Sequence, residues 1–281
     1  MAGGQLNKPH IGFIIQARMK SVRLPNKVLT KIPLGNGKPI LQWIIDELKK
    51  STLKGEIIVA TSLNLENDIL SDYCQLKNIK CFRGEEENVL SRFIAIQKEE
   101  NFEIIVRLTG DNPILDISIL DKAIQFHLEN KNDYTKTEGL PLGMNLEIIS
   151  ATELLDLENK DLSDEDKEHV TLFISKSDAY KKGIYKPILN TSIANLRVTI
   201  DYPSDFTVVS VILSLLNENN KEELGVQLIE KIYKDYPWVF DANVNNIQKK
   251  QFLNLKDEIS EACKILEKYD LKQALSILKS N

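Results

Sequence analysis

"IGFIIQARMKSVRLPNK", residues 11–27, is the stretch on which the fold turns. Its first five residues are apolar apart from one glycine, too few for a helix, and read as a buried strand. The remainder places Arg18, Lys20, Arg23 and Lys27 within ten positions, around a serine and a Leu-Pro pair and with no acidic residue. Four uncompensated cations directly after a buried strand suit a polyphosphate, because guanidinium groups offer forked donors to phosphate oxygens and lysine a compact charge. The competing reading is a solvated loop.

Outward from this stretch, short β-branched runs alternate with segments of helical period. "EIIVATS" (56–62), "IKCFRG" (79–84) and "EIIVRLTGDNP" (103–113) are expected strands. Between them, 39–51 carries Ile40, Ile44, Ile45 and Leu48 on one helical face, and helices are also expected at 67–78, 88–101 and 116–130, with Asp116 as an N-cap. Such alternation implies an α/β fold with a mostly parallel sheet covered on both faces. After about residue 131 the rhythm changes: 143–150 and 193–201 read as strands, and 205–281 is helical apart from "YPWVF" at 236–240. The expected organisation is one domain over 10–245, with an inserted lobe at 131–195, and a helical C-terminal extension at 246–281.

Ligands of open α/β sheets bind at the carboxyl ends of the strands. That rule selects 16–27, 60–62, 83–92, 109–113 and 199–203, all of which carry polar or charged groups. Asp111, in a turn after a strand, and Asp201, at a second strand end, are of the kind that hold Mg²⁺ beside substrate phosphates; a turn aspartate bonding its own backbone is the alternative. Asp205 reads as a helix cap. His10 and His127 read as structural. Neither a dinucleotide fingerprint nor a P-loop is present.

The 281 residues are 42% hydrophobic and 27% charged with net charge −5, which argues against a general nucleic-acid binder. Three cysteines without metal-ligand spacing fit free thiols in a reducing compartment. "MAGGQLNKPH" lacks the pattern of a secretory signal, and no apolar run approaches the roughly 20 residues needed to span a bilayer. The expectation is a cytoplasmic protein with no membrane or nucleic-acid partner.

"IIQARMKSVRLPNKVL" resembles the N-terminal signature of the cytidylyltransferases that make CMP-linked acidic sugars, most closely the spore-coat polysaccharide SpsF-type branch. The resemblance continues through "EIIVATS", "FRGEEENVLSRF", "IVRLTGDNPILD", "GLPLGMNLEIIS", "KEHVT" and "RVTIDYPSDF", over roughly residues 10–245. It implies a Rossmann-like three-layer nucleotidyltransferase fold. It also implies a reaction in which an acceptor oxygen attacks the α-phosphate of CTP and pyrophosphate leaves. By this likeness Arg18, Lys27 and Asp111 would be catalytic. Nucleotide would meet Gln16, Ala17, Arg18, Arg23, Lys27, Ala60, Thr61, Ser62, Arg83, Thr109 and Asp111. Asp111 and Asp201 would hold Mg²⁺, Glu147 and His169 would face the acceptor, and a homodimer would form through the inserted lobe. Lys20, Val22 and Asn26 stand where that branch usually has Gly, Thr and Gly; Asn tolerates a left-handed backbone, so Asn26 is the mildest change.

Two enzyme classes compete: a relative acting on a sugar phosphate, alditol phosphate or phosphonate, and a glycosyltransferase, which would normally show an Asp-x-Asp motif that "GDN" lacks. A non-catalytic nucleotide-binding protein is the third alternative. A carboxylate-bearing acceptor would call for a cation, for which Lys136, Lys181, Lys182, Lys186 and Arg197 are available.

Overall fold

A computed structural model describes residues 9–190, 193–216, 223–246 and 255–280. Residues 1–8 of the stretch read for a signal (1–10) and the tail segments 217–222 and 247–254 lie outside the described residues.

In chain order come β1 (Ile11–Gln16), a small antiparallel ribbon of β2 (Lys31–Ile32) and β3 (Lys38–Pro39), α1 (Ile40–Leu48), β4 (Glu56–Ser62), α2 (Asp68–Leu76) and β5 (Lys80–Gly84). Next are α3 (Val89–Glu100), β6 (Ile104–Thr109), α4 (Ile117–Glu129), β7 (Tyr134–Thr137), β8 (Glu147–Ser150) and α5 (Ala151–Asp156). The remainder is α6 (Asp164–His169), α7 (Leu172–Lys176), β9 (Lys182–Tyr185), α8 (Pro203–Leu215), α9 (Val226–Asp235), α10 (Leu255–Lys268) and α11 (Lys272–Ser280). The chain divides into two compact units, one ending at Asn245 and the other beginning at Asn246.

The seven-stranded sheet has the order β5-β4-β1-β6-β8-β7-β9. β1 lies parallel between β4 and β6, so both its edges are paired. Alternate side chains of a strand point to opposite faces, and here they enter two separate cores. Ile11, Phe13 and Ile15 pack with Ile44 and Leu48 of α1 and Leu120 and Ile124 of α4. Ile14 packs with Phe93 and Ile96 of α3 and Ile105 of β6. This is the three-layer arrangement expected. Asp116 caps α4 by accepting from the Ile119 amide at 2.9 Å, and Asn88 caps α3 through the Ser91 amide.

Past α4 the expected strands change. The strands of 131–195 extend the main sheet: β8 is antiparallel to β6 and to β7, and β9 is parallel to β7. Residues 143–146 are not in a strand, and 193–201 forms only an isolated bridge, Leu142 to Arg197. The reason is the direction of the amides, which in a strand alternate from side to side. The Val198 and Thr199 amides both donate to the Leu142 carbonyl, whereas the Ile200 amide donates to Asp111 at 3.0 Å. Gly143, at φ +103°, permits the close approach: a Cβ there would lie 2.5 Å from the Thr199 nitrogen.

His127 is buried between the hydroxyls of Thr135, at 2.9 Å, and Ser150, at 3.2 Å. Burial pulls its imidazole down from 6.5 to about 4. Between those values the unfolded chain holds a proton that the native state lacks, so stability rises with pH across this window. The gap is worth about 3 kcal/mol, and unfolding of the wild type should show that extra dependence between pH 4 and 6.5 relative to His127→Gln; equal slopes would contradict it. Gly143→Ala should cost at least ~1–3 kcal/mol through backbone strain at positive φ, read in the same denaturation experiment.

Candidate active site

The chain runs β1, β4, β5 toward one edge and returns to β6 on the other side of β1, so the loops after β1 and β6 diverge from neighbouring strand ends. That is where an open α/β sheet opens a crevice. The Ala17 amide bonds to the Ala60 carbonyl at 3.1 Å and the Gly110 amide to the Gln16 carbonyl at 2.8 Å, fixing both loops as they leave the sheet. The loop closes where the Asn26 amide donates to Met19, with Asn26 at φ 59°. A left-handed backbone thus exists at the position where the resembling branch has glycine, and asparagine meets it without a large cost.

A cavity of about 410 Å³ occupies this crevice, lined by Gln16, Ala17, Arg18, Lys20, Arg23, Lys27, Glu86, Arg92, Thr109, Asp111, Glu168 and Asp201 among others. Lys27 is its centre. The ammonium donates to Asp111 Oδ2 at 2.8 Å, the Ile200 carbonyl at 2.8 Å and Asp201 Oδ1 at 3.1 Å. Thr109 orients Asp111 from the other oxygen, at 2.7 Å. Arg23 lies 3.3 Å from Asp201 and stacks over the Tyr202 ring at 4.6 Å. Behind Asp201, the buried Arg197 donates to it at 3.1 Å and to both oxygens of Asp205, at 2.8 and 3.0 Å. Asp205, fully buried, also accepts from Asn243 and from the amides of Asp201 and Tyr202. It therefore caps α8 and anchors Asp201 through Arg197 at once. Burial alone would raise the Asp201 carboxyl; Lys27, Arg23 and Arg197 outweigh it and hold it below the usual carboxylate value.

A second cavity, of about 250 Å³, shares Thr109 with the first and is lined by Arg107, Asn112, Tyr134, Lys136, Asn145 and Glu147, among others. Glu147 pairs with Arg107 and accepts from the hydroxyls of Tyr134, at 2.6 Å, and Thr171, at 2.8 Å. Burial works to raise its carboxyl, but Arg107 and the two hydroxyls keep it ionised below the ordinary value. Arg107 also reaches Gln16 at 3.0 Å, linking the two cavities. The side-chain oxygen Asn112 Oδ1 is buried without a partner.

Gln16, Ala17, Arg18, Arg23, Lys27, Thr109, Asp111 and Asp201 thus meet at the first cavity, and Glu147 lies in the second. Ala60, Thr61, Ser62, Arg83 and His169 line neither cavity. Arg83 is spent on the carbonyls of Ser62 and Asn64, both at 3.1 Å, and on Asp68 at 2.7 Å. The Ala60 carbonyl accepts from Ala17 and from Arg92, supporting the cavity wall from behind. His169 ends α6, next to Glu168, which does line the first cavity, and ahead of Val170 at φ 52°. Of the cations considered for an acceptor, Lys136 lines the second cavity and Arg197 is held by Asp201 and Asp205; Lys181, Lys182 and Lys186 bond to Asn130, Asp178 and Glu138. Sequence reasoning missed Glu86, Arg92, Arg107 and Tyr134. Arg107 lies inside "IVRLTGDNPILD", and Glu86 and Arg92 lie inside "FRGEEENVLSRF" and the selected segment 83–92, so their position beside the named residues was the available signal.

A cytidylyltransferase family model matches residues 12–233. The chain is 35% identical over 212 residues to the spore coat polysaccharide biosynthesis protein SpsF of Bacillus subtilis, covering 73% of this chain and 87% of that one. It is 28% identical over 131 residues to 3-deoxy-manno-octulosonate cytidylyltransferase of Francisella tularensis subsp. novicida, covering 46% of this chain and 50% of that one. A solved cytidylyltransferase structure from Leptospira borgpetersenii superposes with a TM-score of 0.74 at 27% identity, over 88% of this chain and all of the other. With a family model spanning every lining residue of both cavities, the chain belongs to the cytidylyltransferase family and is a nucleotidyltransferase.

Proposed function

We propose that the chain joins CMP from CTP to an acidic sugar, a ulosonate or a similar precursor of a cell-surface glycan, with release of pyrophosphate. The observation that carries this reading is the second cavity, which adjoins the cationic one across Thr109. Its charged lining is Arg107 and Lys136 against Glu147; Arg107 is taken by Glu147, and Lys136 is paired with Glu138 at 2.8 Å just outside the lining. A ligand there can draw on one cation by displacing Glu138, which suits a single carboxylate among hydroxyls better than a phosphate dianion. The relative named for 3-deoxy-manno-octulosonate, an acidic sugar, supports the same class.

In this reading an acceptor oxygen forms a bond to the α-phosphorus of CTP as the bond to the β-phosphate oxygen breaks. Arg18, Arg23 and Lys27 hold the triphosphate, and their cations neutralise charge as pyrophosphate departs. Asp111 and Asp201 fit a divalent cation: both are hard oxygen donors within 3.1 Å of one point, the Lys27 ammonium. Mg²⁺ commonly takes one or two carboxylates plus substrate phosphates, whose charge it screens. Arg107 and Tyr134 orient Glu147, and Gln16 relates the acceptor side to the nucleotide side through Arg107. The nucleotidyltransferase domain of this reading is 10–245, with 131–195 as acceptor and homodimer lobe and 246–281 as a helical extension. No helix among the described residues is long and apolar enough to cross a membrane, in keeping with a cytoplasmic enzyme drawing on CTP.

Pyrophosphate release should be highest with CTP among the four nucleoside triphosphates, with Mg²⁺ and a ulosonic acid as acceptor. Asp111→Ala should lower kcat at least about 100-fold. Turnover with sugar 1-phosphates, alditol phosphates or phosphonates in place of the acid would replace the proposed substrate. Lys136→Ala should raise KM for the acid by about tenfold, the loss of one charge-assisted contact, and leave KM for CTP unchanged.

A further inference from the structure

Each of three cations facing the first cavity is engaged with a carboxylate of the protein. Arg18 lies 3.0 Å from Glu86, Arg23 lies 3.3 Å from Asp201, and Lys27 bridges Asp111 and Asp201. The Lys27 ammonium has three donors and three acceptors, the third being the Ile200 carbonyl, so it is fully satisfied. Its side chain is only 11% exposed, which leaves little solvent to screen the pairs or to take a partner's place.

Asp111 and Asp201 are also the carboxylates assigned to the divalent cation under the proposed function, and their exchange of partners rests on that reading. Among the described residues no group of three or more His, Cys, Asp or Glu side chains is placed to hold a metal ion. Two carboxylates are a sparse ligand set, and both already carry a cation. A divalent ion arriving alone would have to strip the ammonium from them and leave it buried beside a single carbonyl. A triphosphate arriving alone would draw Lys27 and Arg23 away and leave Asp111 and Asp201 facing its own charge. Only the two together let every group exchange partners without an unpaired buried charge, the condition that costs most in a protein interior.

We infer that Lys27 is a resident counter-ion of the Asp111–Asp201 pair, which bars that pair to a divalent cation until a triphosphate takes over the ammonium. Lys27 lines the cavity and carries a flexible four-carbon stem, so its ammonium can pass from carboxylate to phosphate by side-chain rotation. Metal and nucleotide then bind as one unit. The coupling is reciprocal: each raises the affinity for the other by the same factor.

The test titrates Mn²⁺ alone into the full chain, with free Mn²⁺ followed by electron paramagnetic resonance. Lys27→Met should bind one Mn²⁺ at least tenfold more tightly than the wild type, and adding Asp201→Asn should abolish the gain. Lys27→Gln, neutral but hydrogen-bonding, should show the same gain and serves if Lys27→Met does not fold. In wild-type protein labelled at lysine Nζ with ¹⁵N, the Lys27 signal should hold its position with Mg²⁺ alone and shift when Mg²⁺ and CTP are added together. Equal Mn²⁺ affinity in wild type and both variants, or a Lys27 shift with Mg²⁺ alone, overturns the inference. If CTP and Mg²⁺ still bind and pyrophosphate is released in that case, the cytidylyltransfer reading stands without it. Absence of any CTP binding overturns both.

Discussion

One buried ammonium holds the site together. Lys27 belongs to the turn after the β1 loop, Asp111 to the turn after β6, and Ile200 and Asp201 to a later segment, ahead of α8. Neither a strand nor a helix joins these three pieces. Two backbone bonds bring them together, from the Ile200 amide to Asp111 and from the Gly110 amide to Gln16, and charge fixes the side chains: Lys27 satisfies one oxygen of each aspartate, Thr109 takes the other oxygen of Asp111, and Arg197 the other oxygen of Asp201. Behind Arg197 stands Asp205, closed by Asn243 and two backbone amides. Such a network is stabilising only while complete, because removing one partner strands the rest in a low-dielectric interior.

The same network explains why 193–201 does not form the strand its alternating apolar residues suggest. In a strand successive amides point to opposite sides, so two in a row do not share one acceptor. Here Val198 and Thr199 turn to Leu142 while Ile200 turns to Asp111, and that turn brings Asp201 to Lys27. The requirement to complete the ion network outweighs the local preference for extended pairing.

The parts legible in the sequence are those fixed by periodicity within a single segment. β1 is apolar on both faces because it feeds two cores, and the cap at Asp116 is a short-range signal. The strand-end rule brings Arg18, Lys27 and Asp111 together as candidates, since it depends only on strand identity and a parallel sheet; it selects Asp201 from a strand that does not form, and Asp201 reaches the site through the bond of the Ile200 amide to Asp111. What could not be read is what tertiary contact decides. β7 and β9 are four residues each and carry lysines, so neither has a strong strand pattern until β8 turns antiparallel against β6 and extends the sheet. Arg83 looks like a ligand-facing cation in sequence, yet it is consumed by the turn between β4 and α2. Arg92 falls within the selected segment 83–92, but which way it faces on α3 is fixed only when that helix is docked. His127 is the converse, a core group read as structural, buried between two hydroxyls.

The most direct test of the ammonium's role is a double-mutant cycle on unfolding free energy between Lys27 and Asp111, using Lys27→Met, Asp111→Asn and the pair. A shared buried network predicts that the double variant is less destabilised than the sum of the singles by about 1–3 kcal/mol. Additivity to within about 0.5 kcal/mol would mean that the ammonium does not tie the loops together, and would contradict a shared network.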